Sequence, residues 1–272
     1  MARLVLVLAA LMAAGQTTSV QIATVPKAEI ERRLRTFEDT NFKRELRLQS
    51  LFEEAGCTGD NLTEQRVKHA QAPNVICTLT GSTGSQIIVG AHFDFVDRGK
   101  GVVDNWSGCS LLPSLFQGLK ETAHHHTFVF IGFTNEEEGL VGSHFYVHQL
   151  SKEARRNITA MVNLDSLGLT PTKMEQDRAD KKLIQALATV ARSSKLPLSV
   201  MNVHPARSDS DSFQDSRIPA ICIHSVTTAT WPILHSPRDQ FSAIRLDDYY
   251  DTYLLVRAYL AYLDELVTEP RP

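Results

Sequence analysis

Four apolar runs of strand length each lead to a side chain that can bind a cation, and no other feature constrains the fold of this chain as tightly. The first, Gln86 to Gly90, is short and β-branched, follows a turn signal at Gly81 to Ser85 and runs into His92. Such a run reads as a buried strand. The second, Thr127 to Phe133, is apolar throughout and is followed by Glu136, Glu137 and Glu138. Ile158 to Leu164 is closed by Asp165, and Ile218 to Val226 precedes a loop that carries His235 in HSPRDQ. Strands buried on both faces belong to mainly parallel sheets, and open α/β sheets gather ligands beyond the C-terminal ends of their strands. The expected fold class is therefore α/β, with a mixed, mainly parallel central sheet sandwiched by helices.

Residues two apart on a strand share a face. His92 and Asp94 are so placed, and the Asp94 carboxylate can accept the proton of the ring nitrogen that does not face a metal. Asp104 follows a glycine-bearing loop and stands just before Asn105, Ser107 and Gly108, where an apolar helix through Leu111, Leu112, Leu115, Phe116 and Leu119 begins. By itself a His-x-Asp pair is more often a satisfied core histidine. Three adjacent carboxylates at a buried strand end repel one another and call for a cation, although acidic residues are ordinary in a first helical turn. Together His92, Asp104, Glu137, Asp165 and His235 make a candidate ligand set.

The ordered series HFD, VDNWSG, FTNEEEGLVGS, NLDSLG, SDSDSFQDSRIPA and HSPRDQ resembles the di-zinc aminopeptidases of the MH clan, relatives of bacterial leucyl aminopeptidase, over about Val75 to Asp239. Each motif is weak alone and the ordered combination is specific. The resemblance implies two Zn2+ per chain, one held by His92, Asp104 and Asp165 and the other by Asp104, Glu137 and His235, with Asp104 bridging. It implies a cis peptide after Asp104, Glu136 as general base and then acid, and peptide substrates with free N-termini drawn to a carboxylate-rich site. The third glutamate leaves open a register one residue later. Ser208 to Phe213 resembles a Ser-Asp-His-x-x-Phe segment with serine in place of histidine. Relatives place a tyrosine upstream to stabilise the oxyanion. None stands between Val200 and Asp209, so His204 is the substitute candidate beside its reading as a surface histidine. Trp231 and Pro232 are candidates to wall the substrate pocket, and Asp209 and Asp211 could equally cap turns.

Residues 1–20 read as a secretory signal peptide, since MARLVLVLAALMAAG has one early arginine and an apolar run too short to span stably; a membrane anchor is the alternative. Residues 21–272 read as a single metallopeptidase domain. A net charge of −3 with 22% charged residues gives no footprint for nucleic acid, and no later stretch has spanning length. Apolar spacing over Pro26 to Gly56 predicts two helices. Cys57 and Cys77 could close a disulfide in an oxidising compartment, whereas Cys109 and Cys222 read as buried thiols. Asn61 and Asn157 head glycosylation sequons; Asn105 heads another, beside Asp104, where modification is not expected. Further expectations are an antiparallel pairing of Cys77 to Leu79 with Ile87 to Val89, a solvated turn at His124, His125 and His126, a helix over 179–194, a strand over 196–203 and a helix over 247–265 with Leu254, Leu255, Tyr259 and Tyr262 facing inward. The expected activity is that of a secreted zinc metallo-aminopeptidase. The rivals are a glutaminyl-cyclase-like acyl transferase with one zinc, and an inactive binding ectodomain that keeps the fold.

Overall fold

A computed structural model describes residues 23–203 and 206–266; the expected signal peptide and His204 lie outside the described residues. Two helices, α1 (Lys27–Leu34) and α2 (Asn41–Ala55), lead to the edge strands β1 (Leu62–Gln65) and β2 (Asn74–Leu79). Then come β3 (Gln86–His92), α3 (Ser107–Leu119), β4 (Thr127–Phe133), α4 (Val141–Gln149), α5 (Lys152–Asn157) and β5 (Ile158–Leu164). The second half holds β6 (Lys173–Met174), α6 (Lys181–Ser194), β7 (Ser199–Val200), α7 (Asp209–Asp215), β8 (Ala220–His224) and α8 (Leu246–Glu265).

Among the described residues all strands join one eight-stranded sheet in the order β1-β2-β4-β3-β5-β8-β6-β7. The central pairs β4/β3, β3/β5 and β5/β8 are parallel, as the continuous apolar runs require. Antiparallel β1/β2, β2/β4 and β6/β8 make the sheet mixed. The expected pairing of Cys77 to Leu79 with β3 does not form: both edges of β3 are taken by β4 and β5, and β2 lies instead along the outer edge of β4. The turn residues Ser82 and Thr83 accordingly donate backbone hydrogen bonds to His124 and His125.

Alternation on the strands divides the core. Ile87, Val89 and Ala91 of β3, with Phe128, Phe130, Val162 and Ile223, face the larger layer with α3 and α8, while Ile88, Ile131, Phe133 and Met161 face Tyr146 of α4 and Phe213 of α7. On α8 the expected inward positions hold: Leu255 and Tyr259 are buried, and Leu254 and Tyr262 pack partly buried against the same layer. Helix starts follow local chemistry: the Thr40, Ser151 and Asp180 side chains accept backbone N–H groups of α2, α5 and α6, and Ser208 with Asp211 forms a capping box on α7. The strand expected over 196–203 is only the two exposed residues of β7, an outer edge strand behind Pro197 where little is buried to hold it.

Cys57 and Cys77 are disulfide-bonded and tie the end of α2 to β2, while Cys109 and Cys222 are buried thiols. The three histidines before β4 do not form a solvated turn. His124 and His126 are buried, because Asp264 near the end of α8 accepts the N–H groups of His125 and His126 at 3.2 and 2.8 Å and faces the His126 ring at 3.2 Å. Burial would raise the Asp264 pKa, but these donors outweigh it and lower it. Among the described residues, no helix is long and apolar enough to cross a membrane.

Candidate metal centre

The five expected ligands converge at the C-terminal edge of the parallel strands. His92 ends β3, Glu136 and Glu137 follow β4, Asp165 follows β5, and His235 comes from the loop after β8. Asp104 lies in a kinked segment between β3 and α3. Its two carboxylate oxygens face different histidines: Oδ1 is 3.2 Å from His92 Nε2, and Oδ2 is 3.2 Å from His235 Nε2. His92 Nε2 also lies 3.7 Å from Asp165 Oδ1, and His235 Nε2 lies 3.0 Å from Glu137 Oε2. Donors that share one Zn2+ at metal–ligand distances near 2.1 Å stand roughly 3.4 Å apart. Donor atoms of His92, Asp104 and Asp165 all lie within 4.8 Å of one another, as do those of Asp104, Glu137 and His235. The donor set of imidazole and carboxylate in these spacings fits two neighbouring divalent ions that share Asp104.

Electrostatics point the same way. Burial opposes protonation of His92, but Glu136 and hydrogen bonds to Asp104, Asp165 and Asp94 raise its pKa well above the ordinary imidazole value. Burial first, and then neighbouring carboxylates, raise the pKa values of Glu136 and Glu137. Burial would also raise Asp104, yet hydrogen bonds to His235 and His92 lower it. This concentration of carboxylates lacks enough positive charge of its own, as expected of a cation site.

Around these residues lies a frame that the sequence showed only in part. Asp94 was expected to receive the His92 ring proton on its carboxylate. His92 Nδ1 lies 3.5 Å from that carboxylate and 3.2 Å from the Asp94 backbone carbonyl, so both face the ring nitrogen. The carboxylate also accepts the backbone N–H groups of Glu136 at 3.0 Å and Glu137 at 3.1 Å. Asp239, four residues past His235, accepts the N–H groups of Val103 at 2.7 Å and Asp104 at 3.2 Å. The buried Arg44 of α2 binds the carbonyls of Phe93, Lys100 and Gly101, which fixes the loop between the two ligands from below. Neither residue was singled out as part of the site: Asp239 is the fifth residue of HSPRDQ, and Arg44 has no local signal.

The peptide bond between Asp104 and Asn105 is cis, as the resemblance implied. Asn105 is buried; its amide donates to Leu164 O and accepts from the N–H groups of Gly108 and Ser166, so its sequon is closed to modification. Asp211 caps α7, but Asp209 does not cap: it is fully buried, neither of its carboxylate oxygens has a hydrogen-bond partner among the described residues, and burial pushes its pKa up to about 7. Glu136 feels this carboxylate directly.

The centre opens into a cavity of about 430 Å³ lined by all five candidate ligands and Glu136. Trp231 and Pro232 line it as expected, with Trp231 43% exposed. Val203, Cys222 and Val226 add an apolar wall at the β8 side. His224 also lines the cavity, and burial lowers its pKa to about 4; Nε2 faces Met201 O and Nδ1 accepts from Val226 N–H, so it is a neutral, fixed wall.

Known proteins share the sequence pattern and the fold of this chain. A probable lipoprotein aminopeptidase, LpqL, of Mycobacterium tuberculosis is 37% identical over 99 residues, covering 36% of this chain and 20% of that protein; the match thus spans about a fifth of the relative's length. The crystal structure of the LapA aminopeptidase of Legionella pneumophila superposes with a TM-score of 0.79 at 22% identity, covering 89% of this chain and 73% of that one. A glutaminyl cyclase of Fimbriiglobus ruber superposes with a TM-score of 0.73 at 16% identity, covering 91% and 99%, so the fold alone is shared across both. The profile described as peptidase family M28 matches residues 74–260, more than half of the chain. This chain belongs to peptidase family M28.

Proposed function

We propose that this chain is a secreted zinc aminopeptidase that hydrolyses the N-terminal peptide bond of peptides with a two-metal centre. One observation carries the proposal: Asp104 presents one oxygen to each of two histidines, so that His92, Asp104 and Asp165 would hold one ion and Asp104, Glu137 and His235 the other. Two bound zinc ions would lower the pKa of a water and polarise the scissile carbonyl. Glu136 is the carboxylate beside both groups that is left over from them, 4.0 Å from His92 Nε2. Its raised pKa suits a group that takes a proton from water and delivers it to the leaving amine. Asp94 fixes the backbone that carries both Glu136 and Glu137. The carboxylates at the centre attract a free α-amine, and the apolar wall of Val203, Cys222 and Val226 receives the first side chain. Secretion is supported by the apolar N-terminal run and by the Cys57–Cys77 bond.

Glu136→Gln tests the assignment. It keeps the shape and removes the base, so kcat for amine release from an aminoacyl anilide should fall on the order of a thousandfold, with zinc content unchanged by elemental analysis. Turnover close to that of the parent protein would reject Glu136 as the base. Cyclisation of N-terminal glutamine without amine release would replace hydrolysis by acyl transfer.

A further inference from the structure

The cavity holds a cation that the mechanism above does not use. Arg98 lines it, exposed on the loop between His92 and Asp104. Other arginines nearby are committed: Arg207 Nη2 lies 2.6 Å from Asp215 Oδ2, and Arg238 Nη2 donates to Pro232 O at 2.6 Å. Among the described residues, no hydrogen bond or ion pair engages the Arg98 guanidinium. Yet its backbone is anchored on both sides. Arg98 N–H donates to Val96 O, Lys100 N–H donates to Asp239 O at 2.8 Å, and Arg44 holds Gly101 O at 3.0 Å. A free cation is thus presented to the cleft by a fixed loop.

Its place in the cleft gives it a partner. Arg98 lines the same cavity as the candidate ligands and the apolar wall, and its loop packs on the segment that follows His235, where Lys100 N–H donates to Asp239 O at 2.8 Å. An extended dipeptide spans about 7 Å between its ends. A dipeptide with its first side chain on the apolar wall and its amine among the carboxylates therefore keeps its C-terminal carboxylate inside the cavity that Arg98 lines. Guanidinium and carboxylate match in charge and in planar geometry.

Resting on the aminopeptidase function proposed above, we infer that Arg98 binds the C-terminal carboxylate of the leaving-group residue, which makes dipeptides the preferred substrates of this site. The test compares kcat/KM for leucyl-glycine and leucyl-glycinamide in the zinc-loaded full chain and in its Arg98→Gln and Arg98→Lys variants. Expected is a three- to tenfold preference for the free acid in the parent protein, about the worth of one partly exposed charged pair, carried mainly by KM as uniform binding would be. The preference should fall to about one in Arg98→Gln and return in part in Arg98→Lys. A preference that is absent from the parent protein, or unchanged in Arg98→Gln, overturns the role of Arg98. Faster release from leucyl-aspartyl amide than from leucyl-asparaginyl amide, with no preference for the free acid, overturns the C-terminal assignment in favour of a side-chain carboxylate. Leucyl anilide, which has no carboxylate, separates the two levels: if the parent protein releases amine from neither the anilide nor the peptides, the aminopeptidase function itself falls, and Arg98's role with it.

Discussion

Asp104 can face two histidines only while its backbone is held, and the holder is Asp239, whose buried carboxylate receives the N–H groups of Val103 and Asp104. Replacing Asp239 with alanine should leave two buried amides without acceptors, a cost of about 1–3 kcal/mol each at most, and should loosen the bridging ligand. Zinc affinity measured by competition with a chromogenic chelator is expected to drop at least tenfold, with Asp239→Asn intermediate because one amide oxygen can still accept; unchanged affinity in both would reduce Asp239 to a packing residue. Asp94→Asn is expected to weaken metal affinity or activity roughly 10- to 100-fold, through the Glu136 and Glu137 backbone. An Asp94→Asn protein with unaltered kcat and zinc affinity would leave that carboxylate without a role in the site. These residues mark where legibility stops. Three of the candidate ligands could be read from strand ends, since His92 closes β3, Asp165 follows β5 and Glu137 comes shortly after β4, and strand ends are visible as the close of apolar runs. Asp94 was legible as a neighbour of His92, but its carboxylate serves amides 42 and 43 positions away, and spacing along the chain says nothing about that. Asp239 reaches back 136 positions to Val103 and is equally invisible to local pattern.

Among the elements, α2 and its neighbours carry two predictions away from the centre. The Cys57–Cys77 bond closes a loop with a sequence separation of 20 between the end of α2 and β2, so removing it by Cys57→Ser with Cys77→Ser should cost about 3 kcal/mol by loop-closure entropy. Urea unfolding measures this; an unchanged midpoint would mean that the unfolded chain is not restrained by the link. On the same helix, Glu45 is buried beside Glu64, with Gln49 donating to both. Burial first, and then Glu64, raise its pKa from 4.5 to about 7. The folded state thus holds this proton more tightly than the unfolded chain does. Its stabilising contribution is complete below 4.5 and is lost as pH rises through about 7. Glu45→Gln cannot ionise, so its stability relative to the parent protein should rise by about 1–2 kcal/mol between roughly pH 5 and pH 8; a difference that is flat with pH would contradict the shift. The helices α1, α2, α3, α6 and α8 were legible from their apolar spacing, and so were the central strands. The partner of β2 was not, because hairpin proximity favoured β3 while β3 was already enclosed by two parallel neighbours. Nor was the burial of His124 and His126, which depends on Asp264 from the far end of the chain.

For the molecule as a whole, the fold gathers more buried negative charge at one end of the sheet than its own cations balance. Metal binding to the folded state alone should therefore stabilise the entire chain. Chelation is expected to lower the thermal midpoint by several degrees, since each factor of ten in free metal over the dissociation constant is worth about 1.4 kcal/mol, and zinc should restore it. The M28 profile and the solved relatives establish the family and the fold, and the position of Asp104 between two histidines carries the proposed function. The most direct measurement is therefore a stoichiometric titration of the metal-depleted full chain with zinc, with bound metal and release of amine from leucyl anilide followed together. The account predicts two ions bound per chain, with activity complete at the second and with His235→Ala stopping at one. Saturation at one ion with full amine release, or two ions with no hydrolysis of any aminoacyl substrate, would contradict it.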